Sequence, residues 1–185
     1  PEVVEIVEDR LRRAGARVGP IPVHLLLEGP TPPGLATDPG ATANSAYRLV
    51  VGTEGVRLTA PTTGGLLAGS TTLAQLVAGV GDDGRLPGVE IDDEPRFAWR
   101  GLCLDVARRF LPVEDVAAVV EVMADLRLNV LHLHLTDDQG WRVDLPSRPE
   151  LVERSSGTGC GGGPGGFYRT ADLAALTAHA ARLGV

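Results

Sequence analysis

The sequence predicts a small α+β region over residues 1–94, followed by a parallel strand–helix–strand unit. Three observations carry this expectation. From Phe97 to Asp138, two short apolar runs flank a stretch of helical period, the pattern of a βαβ unit. From Ala46 to Ala60, two strand-like runs are joined by Gly-Thr-Glu-Gly, the pattern of a hairpin. Between them, Gly81 to Glu94 is rich in Gly and Asp and reads as a connector running into Pro95.

Taken in order, Val4, Val7 and Leu11 recur at helical spacing and predict a helix over 3–14. Residues 21–27 are apolar and predict a strand. Residues 29–44 are rich in Pro, Gly and Thr and predict an exposed loop. The hairpin strands are expected at 46–51 and 55–60, a turn region at 62–69 and a helix at 71–80. An antiparallel sheet with helices on one face follows from this set.

Residues 99–105 are short and apolar and predict a strand buried on both faces. Pro112 suits the first turn of a helix, where its missing N–H is no loss. Glu114 and Asp115 complement that helix's positive end. Val113, Val116, Val119, Val120, Met123 and Leu126 form its apolar face. Residues 129–135 predict the second strand, and 136–169 a long loop. Thr170 is expected to cap a last helix, with Leu173, Leu176, Ala180 and Leu183 inward and Gly184 ending it. Arg108 and Asp137 each follow a strand, so both reach the rim where parallel α/β folds bind ligands.

Net charge is -7, with 17 basic residues, all Arg. That balance argues against nucleic-acid or anionic-membrane partners, which need a basic surface. No run of about 18 apolar residues is present to span a membrane. The charged opening PEVVEIVEDR is unlike a signal peptide. Cys103 is expected as a buried thiol and Cys160 as a loop thiol.

Three separated stretches together resemble glycoside hydrolase family 20, the β-N-acetylhexosaminidases. They are WRGLCLDVARRFLP at 99–112, MADLRLNVLHLHLTDDQGWR at 123–142 and GGGPGGFYRTADLAALTAHAARLGV at 161–185. AYRLVVGTEGVRLTAPTTGGLLAGSTTLAQL, at 46–76, resembles the domain that precedes the barrel in that family. The resemblance implies an accessory α+β domain over 1–94 and the start of a catalytic (β/α)8 TIM barrel over 95–185. A whole barrel takes about 250 residues, so a truncated barrel of two βα units is expected. It also implies exo-acting release of terminal N-acetylglucosamine or N-acetylgalactosamine from glycans, with no metal or organic cofactor. A secreted or cell-envelope location is what the family suggests.

By the same resemblance, Arg108 is the arginine that binds hydroxyls of the non-reducing sugar. A planar guanidinium suits this because it offers several donors at fixed angles. Read without the resemblance, Arg108 is a rim salt bridge. Asp137 matches an aspartate linked through a histidine to the catalytic acid; read alone, it is a loop cap. The family's adjacent Asp-Glu pair, preceded by His-Gly-Gly, is not found in this sequence, so the acid and the orienting carboxylate are expected beyond it.

His132 and His134 alternate on one strand and face one way. Packed core histidines are the simpler reading, and a metal-dependent amidohydrolase barrel the sharper one. Asp105 is expected to hold a neighbouring loop, Arg100 to form an ion pair, and Asp138 to be structural; for Trp141 a core or loop-anchoring role is the simpler reading and a platform for an apolar sugar face the sharper one. A non-catalytic sugar-binding or structural fragment is the other alternative.

Overall fold

The computed structural model describes residues 2–16, 22–28, 45–81 and 84–185. The loop expected over 29–44 lies outside the described residues. The chain divides into two compact units, 1–99 and 100–183, and each is described by itself.

In the first unit, α1 (Glu2–Arg13) and α2 (Thr63–Ala78) accompany a four-stranded sheet. Its strands are β1 (Val23–Leu27), β2 (Tyr47–Gly52), β3 (Gly55–Ala60) and β4 (Val89–Asp93), in the order β1-β3-β2-β4. The β2–β3 hairpin is antiparallel and closes at Gly52–Gly55, as the Gly-Thr-Glu-Gly pattern predicts. Three expectations are corrected. The sheet is mixed, because β1 runs parallel to β3. The supposed connector contains β4, which pairs with β2 through Val51↔Val89 and Leu49↔Ile91.

The third correction concerns 62–69, which is the first half of α2 rather than a turn. Thr62 caps it, its hydroxyl accepting the Gly65 N–H at 3.1 Å. The glycines there serve close packing. A Cβ on Gly65 would collide with the Ala46 carbonyl and the Ala60 methyl, and one on Gly69 with Leu58 and Tyr47. The core is Tyr47, Leu49, Val51, Val56, Leu58, Leu66 and Leu73, all buried.

In the second unit, β5 (Gly101–Asp105) lies parallel to β6 (Val130–His134), and α3 (Val113–Asp125) connects them. Pro112 caps α3 rather than standing inside it. A Schellman closure ends α3: Arg127 N–H reaches Ala124 O at 3.1 Å, and Leu128 N–H reaches Met123 O at 2.8 Å. Arg127 takes the left-handed position at φ 59°. Leu126, expected on the apolar face, is exposed.

Leu102, Leu104, Leu131 and Leu133 share the covered face, over a core of Val106, Val116, Tyr168 and Leu176. Gly101, Cys103 and His132 share the other face and are exposed. Burial of β5 on both faces is therefore corrected, and so is the buried thiol at Cys103. Both cysteines are free and exposed. Trp99, expected in the strand, precedes it and is exposed.

The expected loop 136–169 has structure of its own. It holds a small hairpin of β7 (Thr136–Asp137) and β8 (Gly140–Trp141), then α4 (Pro149–Ser155) and a 3₁₀ turn at Cys160–Gly162. The last helix, α5 (Thr170–Leu183), begins with Thr170 inside it; the Asp172 carboxylate takes the Arg169 N–H instead.

Candidate active site

The ends of β5 and β6 lie side by side, with Asp105 opposite His134 in register. The chain leaving β5 turns at once, because the His134 carbonyl accepts both the Val106 and Ala107 N–H groups, at 3.3 and 3.0 Å. Oδ1 of Asp105 accepts the Ala107 and Arg108 N–H groups at 3.1 and 3.0 Å. This is the carboxylate-capped turn that the sequence assigns to Asp105 as holding a neighbouring loop. It presents Arg108 at the rim.

The Arg108 guanidinium bridges two carboxylates. Nη1 meets Asp105 Oδ2 at 2.5 Å and Nη2 meets Asp137 Oδ2 at 2.7 Å. The same Asp137 oxygen lies 2.9 Å from His134 Nε2, and its other oxygen accepts the Asp138 N–H at 2.7 Å. Two of the guanidinium's five N–H groups are thus engaged, and the side chain is 52% exposed. The remaining donors have no partner among the described residues. The rim therefore carries a cation pinned in place with donor capacity to spare.

Electrostatics follow the geometry. Asp137 is held well below the usual carboxylate range by hydrogen bonding with Asp138, then with His134, and by the Arg108 charge. Asp105 is lowered chiefly by the backbone and side-chain hydrogen bonds of Arg108. Asp138 is raised by its hydrogen bond to Asp137, by burial and by the neighbouring negative charge. Arg108 is raised by Asp105 first and Asp137 second, so it stays a cation at any working pH.

The structure therefore brings Arg108 and Asp137 together, as their places after the two strands imply. The two histidines share one face of β6 but differ in their surroundings. His134 pairs with Asp137, while His132 is exposed on the open face, so the packed-core reading fails for His132. Among the described residues no three His, Cys, Asp or Glu side chains are placed to hold a metal. Trp141 anchors its loop, donating Nε1–H to the Val143 carbonyl at 2.6 Å. Arg100 donates Nε–H to the Arg127 carbonyl at 2.7 Å.

Two features escaped the sequence reading. One is the grip of Asp105 on the Arg108 side chain, for which the Asp-x-x-Arg spacing was a usable signal. The other is Arg142, fully buried under the turn, for which the sequence offers no signal. On the first unit, an open depression of about 490 Å³ is lined by Tyr47, Arg48, Asp92 and Asp93 among others. Its Arg48 is already paired with Glu90 and Asp92.

The sequence matches two family profiles, "Glycosyl hydrolase family 20, domain 2" over 9–94 and "Glycosyl hydrolase family 20, catalytic domain" over 97–185. A β-N-acetylhexosaminidase of Cellulomonas fimi is 46% identical over 180 residues, covering 97% of this chain and 34% of the relative. A solved glycoside hydrolase family 20 β-N-acetylglucosaminidase superposes with a TM-score of 0.84 at 40% identity, covering 100% of this chain and 35% of that one. The D313A variant of Streptomyces plicatus β-hexosaminidase, in complex with its product GlcNAc, gives 0.82 at 36% identity, covering 99% and 37%. The chain spans about a third of the length of these relatives.

Proposed function

Because the chain belongs to glycoside hydrolase family 20, with a domain 2 followed by the start of the catalytic domain, we propose that it forms part of an exo-acting β-N-acetylhexosaminidase. The substrates are glycans ending in N-acetylglucosamine or N-acetylgalactosamine. The reaction is retaining and substrate-assisted. The acetamido oxygen attacks the anomeric carbon while an acid protonates the leaving oxygen, the exception to the two-carboxylate scheme. Residues 1–94 act as a support and residues 95–185 as the chain's share of the barrel.

Within that reaction Arg108 binds hydroxyls of the terminal sugar, and Asp137 holds Arg108 while supporting the proton-donor network. The acid and the carboxylate that orients the acetamido group are assigned to residues outside these 185. The observation that carries the reading is the Arg108 guanidinium, pinned by Asp105 and Asp137 yet half exposed, with donors unspent. Hydroxyl recognition needs donors held at fixed angles before the sugar arrives, because ordering them afterwards costs affinity.

The test follows the Arg108 Nε–H resonance during titration with N-acetylglucosamine. A saturable shift is expected, and sugar binding read from the ligand's own resonances should be lost in Arg108→Ala. In an active longer form, Arg108→Ala should lower kcat/KM about 10–100-fold, the loss of one charge-assisted contact. The 185-residue chain itself should not turn over a chromogenic N-acetylglucosaminide. Saturable turnover surviving purification would place the acid inside it.

A further inference from the structure

Arg142 is fully buried, and no carboxylate contacts it among the described residues. Buried charges are ordinarily paired with an opposite charge. Here five backbone carbonyls do that work. Nε donates to Val106 and Ala107, each at 3.1 Å. Nη2 donates to Ala107 at 2.8 Å and Thr158 at 2.9 Å. Nη1 donates to Ser156 at 2.9 Å and Gly166 at 3.2 Å.

The positions of these acceptors matter more than their number. Val106 and Ala107 form the turn that immediately precedes Arg108. Ser156, Thr158 and Gly166 belong to the segment folded over that turn. This segment also donates the Cys160 N–H to the Arg108 carbonyl at 2.7 Å. So the backbone of Arg108 is fixed ahead by Asp105, behind by Cys160, and from beneath by the Arg142 fork. Space beside the fork is closed as well: a Cβ on Gly140 would meet Ala107 O at 2.5 Å and Arg142 Nη2 at 2.6 Å.

We propose that Arg142 is a positioning residue for sugar recognition, setting through the Val106 and Ala107 carbonyls the turn that aims Arg108. The proposal rests on the reading of Arg108 as the sugar-binding cation. Arg142 touches no substrate. Lysine cannot replace it, because a single ammonium with three donors cannot span acceptors that a planar fork spans at fixed angles. A merely structural Arg142 would change stability and leave the rim geometry of the folded molecules alone.

The experiment compares Arg142→Lys with the cavity variant Met123→Ala, both in the 185-residue chain. The carboxyl titrations of Asp105 and Asp137 are followed by carbon NMR, and N-acetylglucosamine binding is measured in parallel. In Arg142→Lys both titrations should move up, that of Asp105 further, since its lowering comes first from Arg108. Sugar affinity should fall about tenfold or more, the scale that small misplacements of a recognition group produce. Met123→Ala should change neither reading. A folded Arg142→Lys with wild-type carboxyl titrations overturns the proposal.

If Arg142→Lys does not fold, hydrogen exchange in the unaltered chain decides, since it needs no variant. In the unaltered chain, the Arg142 Nε–H and the Arg108 amide should open together in native-state hydrogen exchange. An Arg108 turn that opens while Arg142 stays protected overturns the proposal without any variant. Failure of the unaltered chain to bind sugar would count against the role of Arg108, while the carboxyl titrations would still decide on Arg142.

Discussion

In the first unit the strands supply the core. Leu49 and Leu58 on β2 and β3 are fully buried, and Leu73 of α2 closes over them. In the second unit no residue of β5 or β6 is buried. Its buried residues lie in the turn after β5, in α3, at Asn129 just ahead of β6, in the connection that leads to Tyr168, and at Leu176 of α5. Four strands with helical cover can seal a face by themselves. Two parallel strands cannot, so order in the second unit is carried by connecting segments. Those same segments hold Arg108 and Asp137. The unit with the weaker sheet is the one whose loops are built most firmly.

The largest test of this contrast is a pair of truncations. Leu58→Ala should cost about 2–5 kcal/mol, the range for a fully buried leucine. Leu104→Ala, at a half-buried position on β5, should cost about half as much or less. Denaturant unfolding followed separately in each unit measures both, and equal losses would break the contrast.

The next test concerns Tyr168, buried and donating its hydroxyl to the Leu111 carbonyl at 2.6 Å. Burial pushes its phenol up to about 12. A group raised in the folded state contributes stability fully present below its ordinary value near 10. That contribution is lost as pH rises toward 12. The second unit should therefore weaken over this alkaline window, and Tyr168→Phe should flatten the loss. Removing the hydroxyl also costs about 1 kcal/mol at neutral pH.

A smaller effect is expected in acid. Asp105 and Asp137 are lowered in the folded state. Their contribution is present above the ordinary carboxylate value near 4 and is lost as pH falls below it. Asp138 is raised and acts in the opposite sense, reducing the net slope. Asp137→Asn should flatten the acid limb for the second unit, read by urea unfolding at stepped pH. An unchanged slope would remove Asp137 from the ion network.

Smallest is Arg127→Gly at the end of α3. A left-handed arginine is strained, which glycine relieves, while glycine's looser unfolded chain takes some of the gain back. A stabilisation of between zero and about 1 kcal/mol is expected from thermal melting.

The contrast also explains what could be read from the sequence. The helix α3 and the flanking strands β5 and β6 were legible because apolar spacing records which side faces a core. The start of α2 was not, because Gly64, Gly65 and Gly69 look like a turn unless the nearness of β2 and β3 is known. The strand β4 was short and acidic, and only Val89 and Ile91 hinted at it. The direction of β1 relative to β3 leaves no mark on either strand. At the candidate site, the meeting of Arg108 and Asp137 was legible from the strands they follow. Arg142 was not, because its acceptors are carbonyls scattered from Val106 to Gly166, and a carbonyl has no letter of its own.

The clasp made by Arg142 differs in kind from the latch made by Arg108. The latch depends on two carboxylates, which acid can discharge. The clasp depends on peptide carbonyls, which nothing in the ordinary pH range protonates, and on a guanidinium that keeps its charge. Acidification therefore works on these two arginines in sequence. The rim should let go of its cation first, while the scaffold beneath stays assembled, ready to reset it when the pH returns.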